Sequence, residues 1–120
     1  MYVESFKQLI VWQRSIQLAR AVYQATSALP RSELYGLISQ MRRAAVSVPS
    51  NIADGKKRKT RKDFLQFLRI ADGSAAELET QIILAKDLYS GVDFRTAEAL
   101  LEETQKMLNT MIRRLEATKS

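Results

Sequence analysis

Apolar residues recur at steps of three and four along most of this chain. The clearest series is Phe64, Leu68, Ala71, Ala75, Leu78, Ile82, Ala85 and Tyr89; another is Phe94, Ala97, Leu101, Thr104, Leu108, Met111 and Leu115. That spacing keeps one stripe of an α-helix facing a neighbour, and its persistence predicts long helices packed nearly side by side. Near the start, Phe6, Leu9, Trp12, Ile16, Ala19 and Tyr23 form one stripe, and Val11, Leu18, Val22, Ala25 and Leu29 form a second beside it. Adjoining stripes predict a helix that buries a wide face or touches two neighbours. A further series, Leu34, Ile38, Met41, Ala45, Val48 and Ile52, predicts one more helix, and no strand-like alternation bounded by turns is visible.

The punctuation divides these stripes into four helices, over residues 4–28, 32–55, 61–90 and 93–118 of a single 1–120 domain. Pro30 stops the first, because the residue before proline resists helical dihedrals. Pro49 falls inside the second, where it removes a backbone bond to Ala45 and costs roughly 3 kcal/mol. Val48 and Ile52 keep the stripe in phase across it, so a kinked but continuing helix is expected, ending near Gly55. Gly91 is a candidate C-cap for the third helix and Asp93 a candidate N-cap for the fourth. Short links between long helices favour antiparallel neighbours, which predicts an all-α, up-down-up-down four-helix bundle. A three-helix bundle broken around Pro49 is the alternative.

Composition narrows the chemistry. The chain has no cysteine and no histidine, so disulfides, thiolate metal sites and the commonest general base are excluded. Glu77 and Glu79 fall on different faces of a helix, Glu102 and Glu103 are adjacent, and no Glu-x-x-His motif exists to build a di-iron bundle. No catalytic residue, metal site or cofactor is therefore expected. The opening MYVESFKQLIVWQRS lacks a basic leader, and no apolar run approaches the roughly 20 residues needed to span a bilayer. The expected location is the cytoplasm.

Charge is distributed unevenly. Lys56, Lys57, Arg58, Lys59, Arg61 and Lys62 place six basic residues in seven positions and account for the whole net charge of +6. Clustered Lys and Arg displace condensed counterions from nucleic acid, so this run is the candidate phosphate-binding site. A solvated interhelical loop is the plainer reading of the same residues. Arg42 and Arg43 extend the candidate patch, since at about 100° per residue Arg42 lies about 40° from Lys56 around a straight helix. Gly55-Lys56 is no nucleotide-binding P-loop, lacking both the upstream glycine and the Ser/Thr after lysine. Phe64 and Phe67 could stack bases, but Phe64 begins a core stripe and Phe67 lies beside it, so packing is the expected role. Trp12 sits in a stripe and is expected to be a buried anchor or an oligomer contact.

Several stretches resemble one family. They are VWQ at Val11–Gln13, LPRSELYGL at Leu29–Leu37, QMRRAAVSVPSNIADG at Gln40–Gly55 and IADGSAAELETQ at Ile70–Gln81. Together they resemble the 23S rRNA intervening-sequence proteins over nearly the whole chain. The family usually has Glu-Gly where this chain has Asp54-Gly55, and Ala71-Asp72-Gly73-Ser74 fits its later motif loosely. The resemblance implies an antiparallel four-helix bundle that assembles as a homopentamer. It also implies kinship with the basic accessory proteins of diversity-generating retroelements, which engage nucleic acid and a reverse transcriptase. Two functions follow as expectations. One is a non-enzymatic, oligomeric protein that binds RNA or DNA phosphates with little sequence preference. The other is a scaffold docking an acidic or nucleic-acid-processing protein partner.

Overall fold

The computed structural model describes residues 5–118. Four α-helices carry the architecture: α1 (Ile10–Thr26), α2 (Ser39–Lys56), α3 (Arg61–Leu88) and α4 (Arg95–Ala117). Each packs on its chain neighbours, and α1 closes the ring against α4. Cross-links fix the directions. Arg42 at the start of α2 meets Thr26 at the end of α1, Arg61 at the start of α3 meets Leu115 near the end of α4, and Lys86 late in α3 meets Glu98 early in α4. The result is an antiparallel four-helix bundle, 49 Å long and 22 Å across. The length follows from α3, whose 28 residues rise about 42 Å.

The predicted stripes are largely the buried ones. Leu68, Ala71, Ala75, Leu78, Ile82 and Ala85 line α3, while Phe94, Ala97, Leu101, Thr104, Leu108 and Ile112 line α4. On α1 the stripe through Val11, Leu18 and Val22 is buried, whereas the one through Trp12, Ile16 and Ala19 is half-buried. Trp12 is thus no fully buried anchor; it packs at the core's margin, edge-to-face with Phe6 at 5.3 Å. Three hydroxyls inside the core donate to carbonyls of their own helices: Ser15 to Trp12, Thr26 to Val22 and Thr104 to Leu100, each at 2.7 Å. A buried hydroxyl satisfied this way costs little, which lets polar residues sit within apolar stripes.

The ends of the helices differ from the sequence expectation in informative ways. The first helix begins at Ile10, after a separate 3-10 turn at Phe6–Gln8 capped by Ser5; the expected start at residue 4 lies outside the described residues. The second element opens not as an α-helix but as a 3-10 turn (Arg31–Glu33) and a π-helical turn (Leu34–Ile38). Glu33 holds this entry, accepting from the Leu37 N–H at 3.2 Å and from the Tyr89 hydroxyl. Pro49 lies buried within a continuous α2, as expected from the unbroken stripe. Gly55 precedes the end of α2 by one residue and has no left-handed backbone, so it is not a capping glycine. Its place is fixed by close approach: a Cβ there would stand 2.6 Å from the Phe67 Cβ. Gly91 does not cap α3 either, which ends at Leu88 with Tyr89 as its C-cap. Asp93 lies one residue ahead of the N-cap Phe94, yet its carboxylate still accepts from the Arg95 N–H at 3.0 Å.

Candidate nucleic-acid interface

The basic run is less a loop than two helix ends joined by a short turn. Lys56 closes α2, Lys57 continues its hydrogen bonding to Ala53, and Arg61 and Lys62 open α3. Thr60 is the N-cap of α3, its hydroxyl accepting from the Asp63 N–H at 3.1 Å. That bond fixes the start of α3, and the close approach at Gly55 and Phe67 holds α2 against α3, so the lysines stand on a braced turn.

The six cations are not equivalent. Arg58 forms an ion pair with Asp54 at 3.2 Å, and its guanidinium lies 4.5 Å over the Phe67 ring. Arg61 donates from Nη1 to the carbonyls of Leu115, at 2.6 Å, and Thr118. Those carbonyls are the unsatisfied acceptors at the end of α4, so Arg61 acts as a tertiary cap. Lys56, Lys57, Lys59 and Lys62 enter no ion pair among the described residues; Lys56 is half-buried and the others are exposed, Lys62 in the first turn of α3. Lys56 and Lys57 gain from the negative end of the α2 dipole. Lys62 sits at the positive end of α3, where helix electrostatics disfavours a cation, so local helix stability does not account for it.

The structure does not bring Arg42 and Arg43 to this site. Arg42 shares a helix side with Lys56, but fourteen residues of rise put it about 21 Å along the axis, and Arg43 points about 140° away around the helix. Arg42 is also committed: its Nε donates to the Thr26 hydroxyl at 2.9 Å, its Nη2 to the Tyr23 carbonyl at 3.2 Å, and it lies 4.5 Å over the Tyr23 ring. Angle around a helix sets which side a residue takes, but rise along the axis sets how far apart two residues on that side stand. Conversely, the antiparallel topology adds Lys7, before α1, and Arg113 and Arg114, in the last turn of α4, to the basic end; all are exposed. The predicted directions of the helices could have revealed this gathering, because alternate termini must meet.

The opposite end is charge-paired rather than cationic. Asp93 grips Arg95 through Nε and Nη2 at 3.1 and 3.0 Å, and those bonds, with the Arg95 N–H, lower its carboxyl to about 2. Glu33 is held below the usual carboxylate range, first by the Tyr89 hydroxyl and then by the Leu37 N–H. Among the described residues no cluster of three or more potential metal ligands occurs, and no helix is long and apolar enough to cross a membrane.

A four-helix bundle with a lysine-rich tip and no cluster of potential metal ligands among its described residues is the class these features define. The chain belongs to the 23S rRNA-intervening sequence protein family, whose model matches residues 7–110. The solved structures include a similar fold in a protein of unknown function from the S23 ribosomal protein family of Bacteroides thetaiotaomicron VPI-5482. It aligns with a TM-score of 0.73 at 23% identity, over 86% of this chain and 98% of that one. No curated protein matches the sequence.

Proposed function

We propose that this protein binds nucleic acid without catalysing a reaction, through phosphate contacts made by Lys56, Lys57, Lys59 and Lys62. The observation that carries the reading is their commitment elsewhere, or lack of it. Arg58 and Arg61 are spent on internal contacts, while these lysines crowd one braced turn with no ion pair among the described residues. Lysine is a point charge that meets phosphate without reading base edges in a fixed fork, so little sequence preference follows. The family's name and the kinship with retroelement accessory proteins that the motifs suggest are compatible with a nucleic-acid role in the cytoplasm. RNA and DNA are both candidate ligands.

Salt titration of binding to a labelled oligonucleotide tests the reading. About four phosphate contacts predict a slope near −3.6 in log K against log salt, or roughly a hundredfold loss between 50 and 200 mM. Replacing Lys57, Lys59 and Lys62 by Gln should leave a slope near −1, whereas Arg43→Ala should change it little. A slope untouched by the triple change refutes the assignment. An acidic protein partner would meet the same lysines; complexes captured from cells that survive nuclease favour that scaffold reading.

The chain also self-associates in this proposal, and the largest group of supporting residues lies on α3. Ile70, Ile83, Leu84 and Leu88 are large apolar side chains 44–62% exposed along that helix. Covering them against copies of the chain removes apolar area from water, and the family resemblance suggests a pentamer. Light scattering that returns a monomer mass at micromolar concentration rejects this part.

A further inference from the structure

We infer that the nucleic acid held by this tip is a duplex rather than a single strand, an inference that rests on the nucleic-acid reading above. Single-strand binders combine cations with aromatic platforms on which bases stack, at about 1–3 kcal/mol per base. Among the described residues, each aromatic of the basic end already has a packing partner. Arg58 covers the Phe67 ring at 4.5 Å, and Phe6 and Trp12 pack on each other with centroids 5.3 Å apart. Phe64 is half-buried against the core, its Cδ1 3.1 Å from where a Gly55 Cβ would stand. Tyr35, 93% exposed, is free enough to stack but belongs to the π-helical turn ahead of α2, at the opposite end of the bundle.

Planar cations can replace aromatics as stacking surfaces, since arginine also stacks on unpaired bases. Within the basic run this option is closed too, which leaves Arg113 and Arg114, in the last turn of α4, as the exposed arginines of the tip. Arg58 already lies on Phe67, and Arg61 is fixed to the Leu115 and Thr118 carbonyls. What the run offers is lysine charge alone, and charge alone favours the ligand with more phosphates per length. A duplex presents one negative charge per about 1.7 Å and releases about 0.9 counterions per contact, against about 0.7 for a single strand. With four contacts the difference of about 0.2 per contact amounts to roughly sixfold per decade of salt.

Fluorescence anisotropy with a 20-base-pair DNA duplex and a 20-nucleotide oligo-dT, at about 0.05, 0.1 and 0.2 M salt, tests the inference. The expected result is tighter duplex binding by about five- to tenfold near 0.1 M, with the gap narrowing as salt rises. Replacing Lys57, Lys59 and Lys62 by Gln should lower both affinities and shrink the gap. Oligo-dT binding equal to or tighter than the duplex overturns the inference while leaving the nucleic-acid reading standing. A duplex preference that ignores salt or survives the triple change also overturns it. Failure of both probes to bind refutes the parent reading instead.

Discussion

Two glycines of this bundle invite the same substitution and should answer it with opposite signs. Gly55, in the last turn of α2, faces α3 so closely that an added Cβ would stand 2.6 Å from the Phe67 Cβ, 3.1 Å from Phe64 Cδ1 and 3.4 Å from the Phe64 carbonyl oxygen. Phe67 Cβ is tied to the α3 backbone, so no rotamer change relieves the first contact; the helices must separate by most of an ångström. Overpacking of that kind costs about 1–3 kcal/mol, partly offset by about 0.5–1 kcal/mol from replacing a helical glycine. Gly55→Ala is therefore expected to destabilise by about 1–2 kcal/mol. Gly73 lies inside α3 with nothing within 4 Å of the place a methyl would take, so Gly73→Ala should stabilise by about 0.5–1 kcal/mol. Urea titrations followed by circular dichroism read both, and the midpoints should move in opposite directions without a change in slope. Two variants equally stabilised would refute the claim that Gly55 exists to let α2 and α3 approach. A separation there would also loosen the turn that carries Lys57–Lys59.

Two further outcomes follow from the charged cross-links. Arg61→Ala should cost about 1–2 kcal/mol, because it leaves the terminal carbonyls of α4 without their charged donor, whereas Lys59→Ala should stay within about 0.5 kcal/mol; equal effects in denaturant titration would contradict the capping role. The far end should respond to acid. Asp93, at about 2, and Glu33 have folded-state values below their ordinary ones, so each supports the fold above its unfolded value and loses that support as pH falls through the folded one. Tyr89 is raised, chiefly by its bond to Glu33, so its support is present below about 10 and is lost at higher pH. Tyr89→Phe should flatten the stability profile both below pH 4.5 and above pH 10, and an unchanged profile would remove this hydrogen bond from the account.

The helices and their inward faces were written in local sequence. Burial repeats with the helical period, so Leu68 through Ala85 and Phe94 through Leu108 could be assigned to a core without knowing what they touch. Short links then left few topologies open, and the concentration of charge at residues 56–62 needed no fold at all to be seen. Local rules failed where the deciding partner was distant in sequence. Gly91 reads locally as a cap and Gly55 as a helix end, and only the approach of α3 reveals the real demand on Gly55. The entry into α2 escaped periodicity because Glu33 is held by Tyr89, 56 residues away. The candidate site divided for the same reason. Sequence counts cations alike, but Arg61 finds its carbonyls 54 residues on, Arg58 finds an aromatic face, and Arg42 lies a helix-length from Lys56. A charge's availability depends on what faces it across the bundle, and that is decided by tertiary packing rather than by the residues beside it.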